Sequence, residues 1–448
     1  MSQPLDALTK SLLQAARSAG ADSADAKAIR ATSVSVDVRA GVLEQAERSE
    51  GIDIGLRVFV GQRSAIVSAS DTSSRTIEEM AERAVAMARE APEDPYSGLA
   101  DADQLATHWN IDALELVDPS AEPSPQALQD DAARAEAAAL AVKGVSQVQS
   151  ASAGYAAHVT HFATSNGFDA GYSRTDRGLS CVAIAGSGTS MERDYDGDGR
   201  IFQSDMRAPD DIGKTAGERA VARLDARKPP TGAFPVLFDE RVSSSLIGHL
   251  LGAINGSSIS RGASFLRDAM GEAVLPDHLS LVEDPHRPRA SGSRPFDGEG
   301  LPTARRMIVE NGVLQGWTLD LATARKLGLA PTGNAARGTS SGPSPSNWNI
   351  ELTQGTESRD DLIREMGTGL LVTSMIGSTI NPNTGDYSRG AAGHWVENGE
   401  ITHTINECTI AGNLRDMLRN MRPANDARTH LSRVVPSLLV PGMTLAGA

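Results

Sequence analysis

Ser33-Val34-Ser35-Val36-Asp37-Val38-Arg39 alternates polar and apolar side chains in strict period two, and Ala40-Gly41 follows as a turn. Ile52-Asp53-Ile54-Gly55-Leu56-Arg57-Val58-Phe59-Val60 takes up the alternation again, and Gly61-Gln62 leads into a third run over residues 64–69. Alternation means that one sheet face is buried and the other is not, whereas doubly buried parallel strands read as continuous apolar runs. The spacing therefore predicts antiparallel strands. Upstream, Leu5, Leu8, Leu12, Leu13 and Ala16 fall at helical spacing and stop at Gly20, a usual C-cap. Downstream, Thr76 and Glu79 offer a capping box for a helix over residues 75–90. A second helix follows Ser124-Pro125 to about residue 142, and a third covers about residues 212–224.

Strands return over residues 145–150, 158–164 and 179–185. The basic, proline-rich hexapeptide Arg227-Lys228-Pro229-Pro230-Thr231-Gly232 is the expected boundary between an N-terminal α+β domain (1–228) and a strand-rich C-terminal domain (229–448). Beyond it, Val236-Leu237-Phe238 reads as a strand and residues 242–253 as a helix. Asn311-Gly312 and Asn398-Gly399 read as hairpin turns, and residues 335–347, rich in Gly, Ser and Pro, as a long flexible loop. Helices grouped with antiparallel strands, twice over, give an α+β class with two domains, each mainly antiparallel sheet with packed helices.

The chain's 448 residues suit two to four units, at roughly 100–200 residues per domain. Lys and Arg number 42 against 57 Asp and Glu, a net charge of −15 that argues against a nucleic-acid binder. Cys181 and Cys408 are far apart, so neither a disulfide framework nor a thiolate zinc site is expected, and a reducing compartment follows. Met1-Ser2-Gln3-Pro4-Leu5-Asp6 has no basic or apolar leader pattern, and no window is apolar enough to span a membrane. The expectation is a soluble, acidic, cytoplasmic protein.

The nine histidines form no HExxH. His158 and His161 lie three apart in a strand and face opposite sides, so they hold no common metal. His249, beside Gly248 and Leu250, reads as an interface or core residue, because no second ligand lies one helical turn away. Asp194-Tyr195-Asp196-Gly197-Asp198-Gly199-Arg200-Ile201, ending at Asp205, matches the calcium-loop pattern of alternate carboxylates and a turn glycine. Its flanks lack the entering and exiting helices, which favours a polar turn instead. Gly186-Ser187-Gly188 lacks a third glycine at dinucleotide spacing, and Ser243-Ser244-Ser245 and Ser257-Ser258 lack a nucleophile elbow.

An ordered series of blocks resembles one family. It includes Glu93-Asp94-Pro95-Tyr96-Ser97-Gly98-Leu99-Ala100, Met191-Glu192-Arg193-Asp194-Tyr195, Gly248-His249-Leu250, Pro295-Phe296-Asp297-Gly298-Glu299-Gly300, Ala324-Arg325-Lys326-Leu327-Gly328-Leu329, Glu365-Met366-Gly367-Thr368-Gly369-Leu370, Thr384-Gly385-Asp386-Tyr387-Ser388-Arg389-Gly390-Ala391-Ala392-Gly393 and Ile410-Ala411-Gly412-Asn413-Leu414. Together these resemble the TldD/PmbA proteins over nearly the whole chain, and specifically their PmbA (TldE) branch. The resemblance implies a two-domain α+β fold and a cytoplasmic TldD/TldE heterodimer acting as a zinc metalloprotease on unfolded peptides, such as antibiotic-peptide leaders and antitoxins. In the TldD subunit, HExxxH and a later cysteine hold the zinc.

That motif aligns here with Asp239-Glu240-Arg241-Val242-Ser243-Ser244, so Asp239 and Ser244 replace the histidines and only Glu240, the general-base position, matches. A catalytic zinc needs three protein donors and an open position for water. Cys408, in Glu407-Cys408-Thr409-Ile410, stands where the family has an ordinary strand residue. The resemblance thus implies no cofactor on this chain, zinc in a TldD-like partner, and Glu240 as a vestige or as a carboxylate favoured by its helix N-terminus. His249, Asp386, Tyr387, Ser388, Arg389 and Gly390 are the candidate peptide-cleft or interface residues, with 387–393 as an exposed edge to which substrate adds as a strand. Three alternatives stand beside this: a structural hairpin at 387–393, a chain active alone through Asp239, Glu240 and His249, and a binding module for DNA gyrase or nucleic acid. Self-association of the isolated chain stays open.

Overall fold

The computed structural model describes residues 3–447. Its first half is built on β1 (Ser23–Arg39) and β2 (Val42–Val60), each much longer than the alternating stretch that announces it. With β3 (Arg63–Ala69), β4 (Val145–Thr164), β5 (Asp169–Ala185) and β6 (Glu192–Arg200) they form one antiparallel sheet in the order β3-β2-β1-β4-β5-β6. Even-numbered β1 residues point into two clusters. Ala24, Ala26 and Ala28 meet Leu8, Leu12, Met80 and Ala84 of α1 (Leu5–Ala19) and α2 (Ser74–Glu90). Val34, Val36 and Val38 meet Leu128, Ala132, Ile212 and Ala216 of α3 (Pro125–Leu140) and α4 (Pro209–Val221). Because side chains alternate across a strand, all four helices lie on one face and Lys27, Ser33 and Ser35 turn to the other. The α2 cap differs from the expected Thr76/Glu79 box: Ser73 is the N-cap, and its hydroxyl accepts from the Thr76 N–H at 3.3 Å.

The second half closes on itself. β7 (Gly232–Phe238) runs parallel to strand Gly369–Ile380, which pairs in turn with Asp386–Glu397 and that with Glu400–Asn413. Strand Leu438–Ala446 pairs with β7 on one side and with Thr409–Ala411 on the other, so the five strands make a closed ring. α5 (Glu240–Ala253) contributes Leu246, Ile247 and Leu250 to a core shared with Phe238, Leu370, Val372, Trp395 and Ile405. Both Asn-Gly turns form as expected, with left-handed φ at Asn311 (47°), Gly312 (80°), Asn398 (54°) and Gly399 (79°).

The two halves meet across the helix-free face of the first sheet. Phe296 packs its ring edge against Phe168 and Tyr172 at 5.0 and 5.6 Å. Residues 335–347 are not a free loop. Arg337 is buried against Asp25, Lys27 Nζ donates to the Arg337 carbonyl at 2.5 Å, and Asn334 Nδ2 donates to Glu283 at 3.0 Å. Asn347 Nδ2 also donates to Glu283 at 3.2 Å, while Ser341 accepts from the Gly338 N–H and Ser346 donates to the Asn347 carbonyl within the segment.

Candidate functional site

Asp239 caps α5, accepting from the Arg241 N–H at 3.2 Å. Its carboxylate is already shared by two guanidinium groups, Arg359 at 3.1 Å and Arg241 at 3.4 Å. Glu240, in the first turn, accepts from Arg428 Nε at 2.6 Å. Burial raises the Glu240 pKa, and Arg428 pulls it back without compensating. His394 lies near this cluster, and burial with the charges of Arg241 and Arg223 lowers its pKa.

The stretch from Asp194 to Asp205 is not a calcium loop. Residues 192–200 are extended strand, so alternate aspartates share one face rather than converging on a point. Each is matched to a cation: Asp194 to Arg241 (3.1 Å), Asp196 to Arg207 and Arg219 (2.7 Å each), Asp198 to Arg200 (3.0 Å), and Asp205 to Arg289 (3.1 Å). Arg241 bridges Asp194 of the first sheet to Asp239 at the head of α5, tying the halves together here.

His249 lies nine residues beyond Glu240 on α5, about 13 Å along the helix axis. That separation excludes one ion shared by Asp239, Glu240 and His249. The His249 ring instead meets Tyr387 edge-on at 5.8 Å, its Nε2 has no hydrogen-bond partner, and burial with Arg389 lowers its pKa to about 4. Tyr387 is a core residue whose hydroxyl donates to Met375 Sδ at 3.5 Å. Asp386 orders the hairpin turn, accepting from Thr384 Oγ1 at 2.7 Å and Asn413 Nδ2 at 3.1 Å, and Arg389 Nε donates to the Gly377 carbonyl at 2.7 Å.

Strand Asp386–Glu397 is not a sheet edge, because it is paired on both sides. Ser388 is matched with Thr379 and Ala411, and Gly390 with Ile376 and Thr409. The small residues admit neighbouring backbone, not substrate: a Cβ on Gly393 would sit 1.8 Å from the Leu371 carbonyl oxygen. Gly393→Ala is expected to destabilise the chain by about 1–3 kcal/mol through overpacking. Thermal unfolding of the purified variant checks this.

An opening with room for an extended chain lies elsewhere. A cavity of about 690 Å³ runs between the helix-free sheet face and the second half, floored by Ser35, Gly154, Gly178 and Gly199 and roofed by Arg289 and His430. Its volume lies in the range of ligand clefts. His430, on its roof, lies 3.6 Å from Asp198, and Arg428, two residues before it in the chain, grips Glu240. Arg359, Arg428, His394 and His430 escape a sequence reading, since no local pattern links them to Asp239 or Glu240.

Three family models cover this chain in order: PmbA/TldA metallopeptidase domain 1 over residues 24–88, the central domain over 118–224 and the C-terminal domain over 231–447. Metalloprotease PmbA of Escherichia coli O157:H7 is 40% identical over 428 residues, 95% of this chain and 92% of that protein. The chain belongs to the PmbA/TldD metallopeptidase family. Within it the PmbA branch is the match, since the PmbA homolog of Haemophilus influenzae is also 37% identical over 97% of this chain and 94% of its own length. The crystal structure of a candidate modulator of DNA gyrase from Bacteroides thetaiotaomicron superposes with a TM-score of 0.91 at 26% identity, covering 99% of this chain and 98% of that one. TldE from Thermococcus kodakarensis shares the fold, with a TM-score of 0.84 at 20% identity over 98% and 100% of the two chains.

The family's metallopeptidase name implies a metal ion, and the resemblance read from the sequence makes that ion zinc. At the head of α5 the donors are two carboxylates already engaged by guanidinium groups and the neutral hydroxyl of Ser244. This set does not fit a catalytic zinc, which takes three protein donors and an open position. Among the described residues, no three His, Cys, Asp or Glu side chains are grouped to hold a metal ion. Also among them, no helix is long and apolar enough to cross a membrane.

Proposed function

We propose that this chain is the non-catalytic subunit of a TldD/TldE-type zinc metalloprotease, working in the cytoplasm with a TldD-like partner that carries the zinc. It would shape the cleft that holds unfolded peptides such as antibiotic leaders or antitoxins. One observation carries the reading: at the family's metal-binding position, guanidinium groups occupy the carboxylates of Asp239 and Glu240. The cavity roofed by His430, two residues from the Arg428 that grips Glu240, supports the cleft role. The net charge of −15 supports a peptide rather than a nucleic-acid ligand.

The test is cleavage of an unstructured peptide by this chain alone, by a TldD-like chain alone and by the two together. Chelator-sensitive cleavage should require the TldD-like chain. Robust chelator-blocked cleavage by this chain alone rejects the reading. A second expectation concerns Glu240→Gln in this subunit. It should leave kcat of the complex within about threefold, whereas loss of a working general base removes about 10²–10⁴.

A further inference from the structure

A second cavity, of about 160 Å³, opens on the same helix-free face, between β1, β4 and β5 and the segments at 294–298 and 335–337. Three cations border it: Lys27, Arg294 and Arg337. The Arg337 side chain is fully buried and its Nη1 pairs with Asp25, but its Nε and Nη2 meet no hydrogen-bond partner. Those two atoms form the side-on edge of the guanidinium, the edge that takes both oxygens of a carboxylate. The guanidinium lies over the ring of Phe162, another lining residue, at 5.4 Å, and buried donors of this kind normally have acceptors.

The cavity's own acid does not supply that partner. Asp297 spends its oxygens on the N–H groups of Glu299, Leu301 and Ala335, and burial raises its pKa to about 6. Lys27 is lowered to about 8 by burial and by the charges of Arg337 and Arg294, which marks an excess of positive charge. Arg294 lies over the Trp348 ring at 5.4 Å, and Trp348 also lines the space.

We propose that this cavity binds a carboxylate held among its three cations, Lys27, Arg294 and Arg337, and that in the protease complex it is the C-terminal carboxylate of the peptide. The second clause rests on the function proposed above. It follows from position: Tyr172 borders this cavity and Asp176 the larger one, about 13 Å apart along the same face of β5. Between them Arg174 reaches across to the Ser291 carbonyl. One extended chain along the sheet that displaces this bridge would reach both.

The test titrates the full-length chain with acetate, with inorganic phosphate, and with one unstructured peptide bearing either a free or an amidated C-terminus. Tryptophan fluorescence and calorimetry report binding. The free-acid peptide is expected to bind at least tenfold tighter than the amide. Lys27→Met and Arg294→Gln should each erase that preference. Saturable acetate binding that both variants lose, with no peptide preference, keeps the carboxylate site and removes the peptide clause. Saturable phosphate without acetate, or equal binding of acid and amide with no response to acetate, overturns the site while leaving the proposed cleft intact. The amidation contrast needs no variant, so it decides even where a substitution unfolds the chain.

Discussion

Asp25→Asn is expected to destabilise the protein by about 3–5 kcal/mol. Asp25 is fully buried on β1, and Arg57 of β2 donates to it through Nε at 2.7 Å. Arg337, from the second half of the chain, takes its other oxygen. Burial pushes the Asp25 pKa up, but Arg337 and Arg57 outweigh it and hold the carboxyl below its usual range. Asparagine keeps the shape and removes the charge, leaving two buried guanidinium groups facing each other without a counterion. Urea unfolding followed by far-UV circular dichroism measures the loss. Glu50→Gln, which breaks the exposed pair with Arg48, is the control, and about 0–1 kcal/mol is expected there. A triple replacement of Asp25, Arg57 and Arg337 by apolar residues of similar volume should recover most of the loss, because the penalty comes from the unpaired charges. Equal, small effects for Asp25→Asn and Glu50→Gln would show that the triad does not hold the two halves together.

The same triad marks where sequence reading stops. Period-two alternation at 33–39 and 52–60 located β1 and β2, and both Asn-Gly turns are visible because their chemistry is local. Strand ends were missed where β1 and β2 run through residues with little apolar contrast, such as 42–50. The aspartates of β6, read as a polar turn with a calcium loop as the alternative, lie in a strand instead, because a strand and a calcium loop both place carboxylates at alternate positions and only the backbone tells them apart. Asp239 and Glu240 were legible as candidates, but the groups that hold them were not. Arg359 and Arg428 reach Asp239 and Glu240 from 120 and 188 residues away, and Arg337 reaches Asp25 from 312. Strand 387–393 carries small residues for the backbone of its own ring, a demand that one strand's composition does not distinguish from room for a substrate.

Glu299→Gln should change the pH dependence of stability more than any other single substitution at this interface. Glu299 is buried, 4% exposed, and accepts from the Leu321 N–H at 2.9 Å. Burial and the nearby Asp297 raise its pKa from 4.5 to about 8, and burial raises Asp297 to about 6. A carboxyl whose folded pKa is raised keeps its proton in the native state after the unfolded chain has released it. The unfolded state then binds fewer protons, so stability falls as pH rises. The contribution is complete below about pH 4.5 and lost by about pH 8. Glutamine keeps an acceptor for Leu321 and does not ionise. The variant should match the parent near pH 4.5 and exceed it at pH 8 by on the order of 4 kcal/mol. A residual decline up to about pH 6 belongs to Asp297 and should persist. Urea midpoints at pH 4.5, 6 and 8 read both slopes. Parallel slopes for parent and variant would mean that Glu299 is already ionised in the folded chain, with a cation of the interface turned toward it.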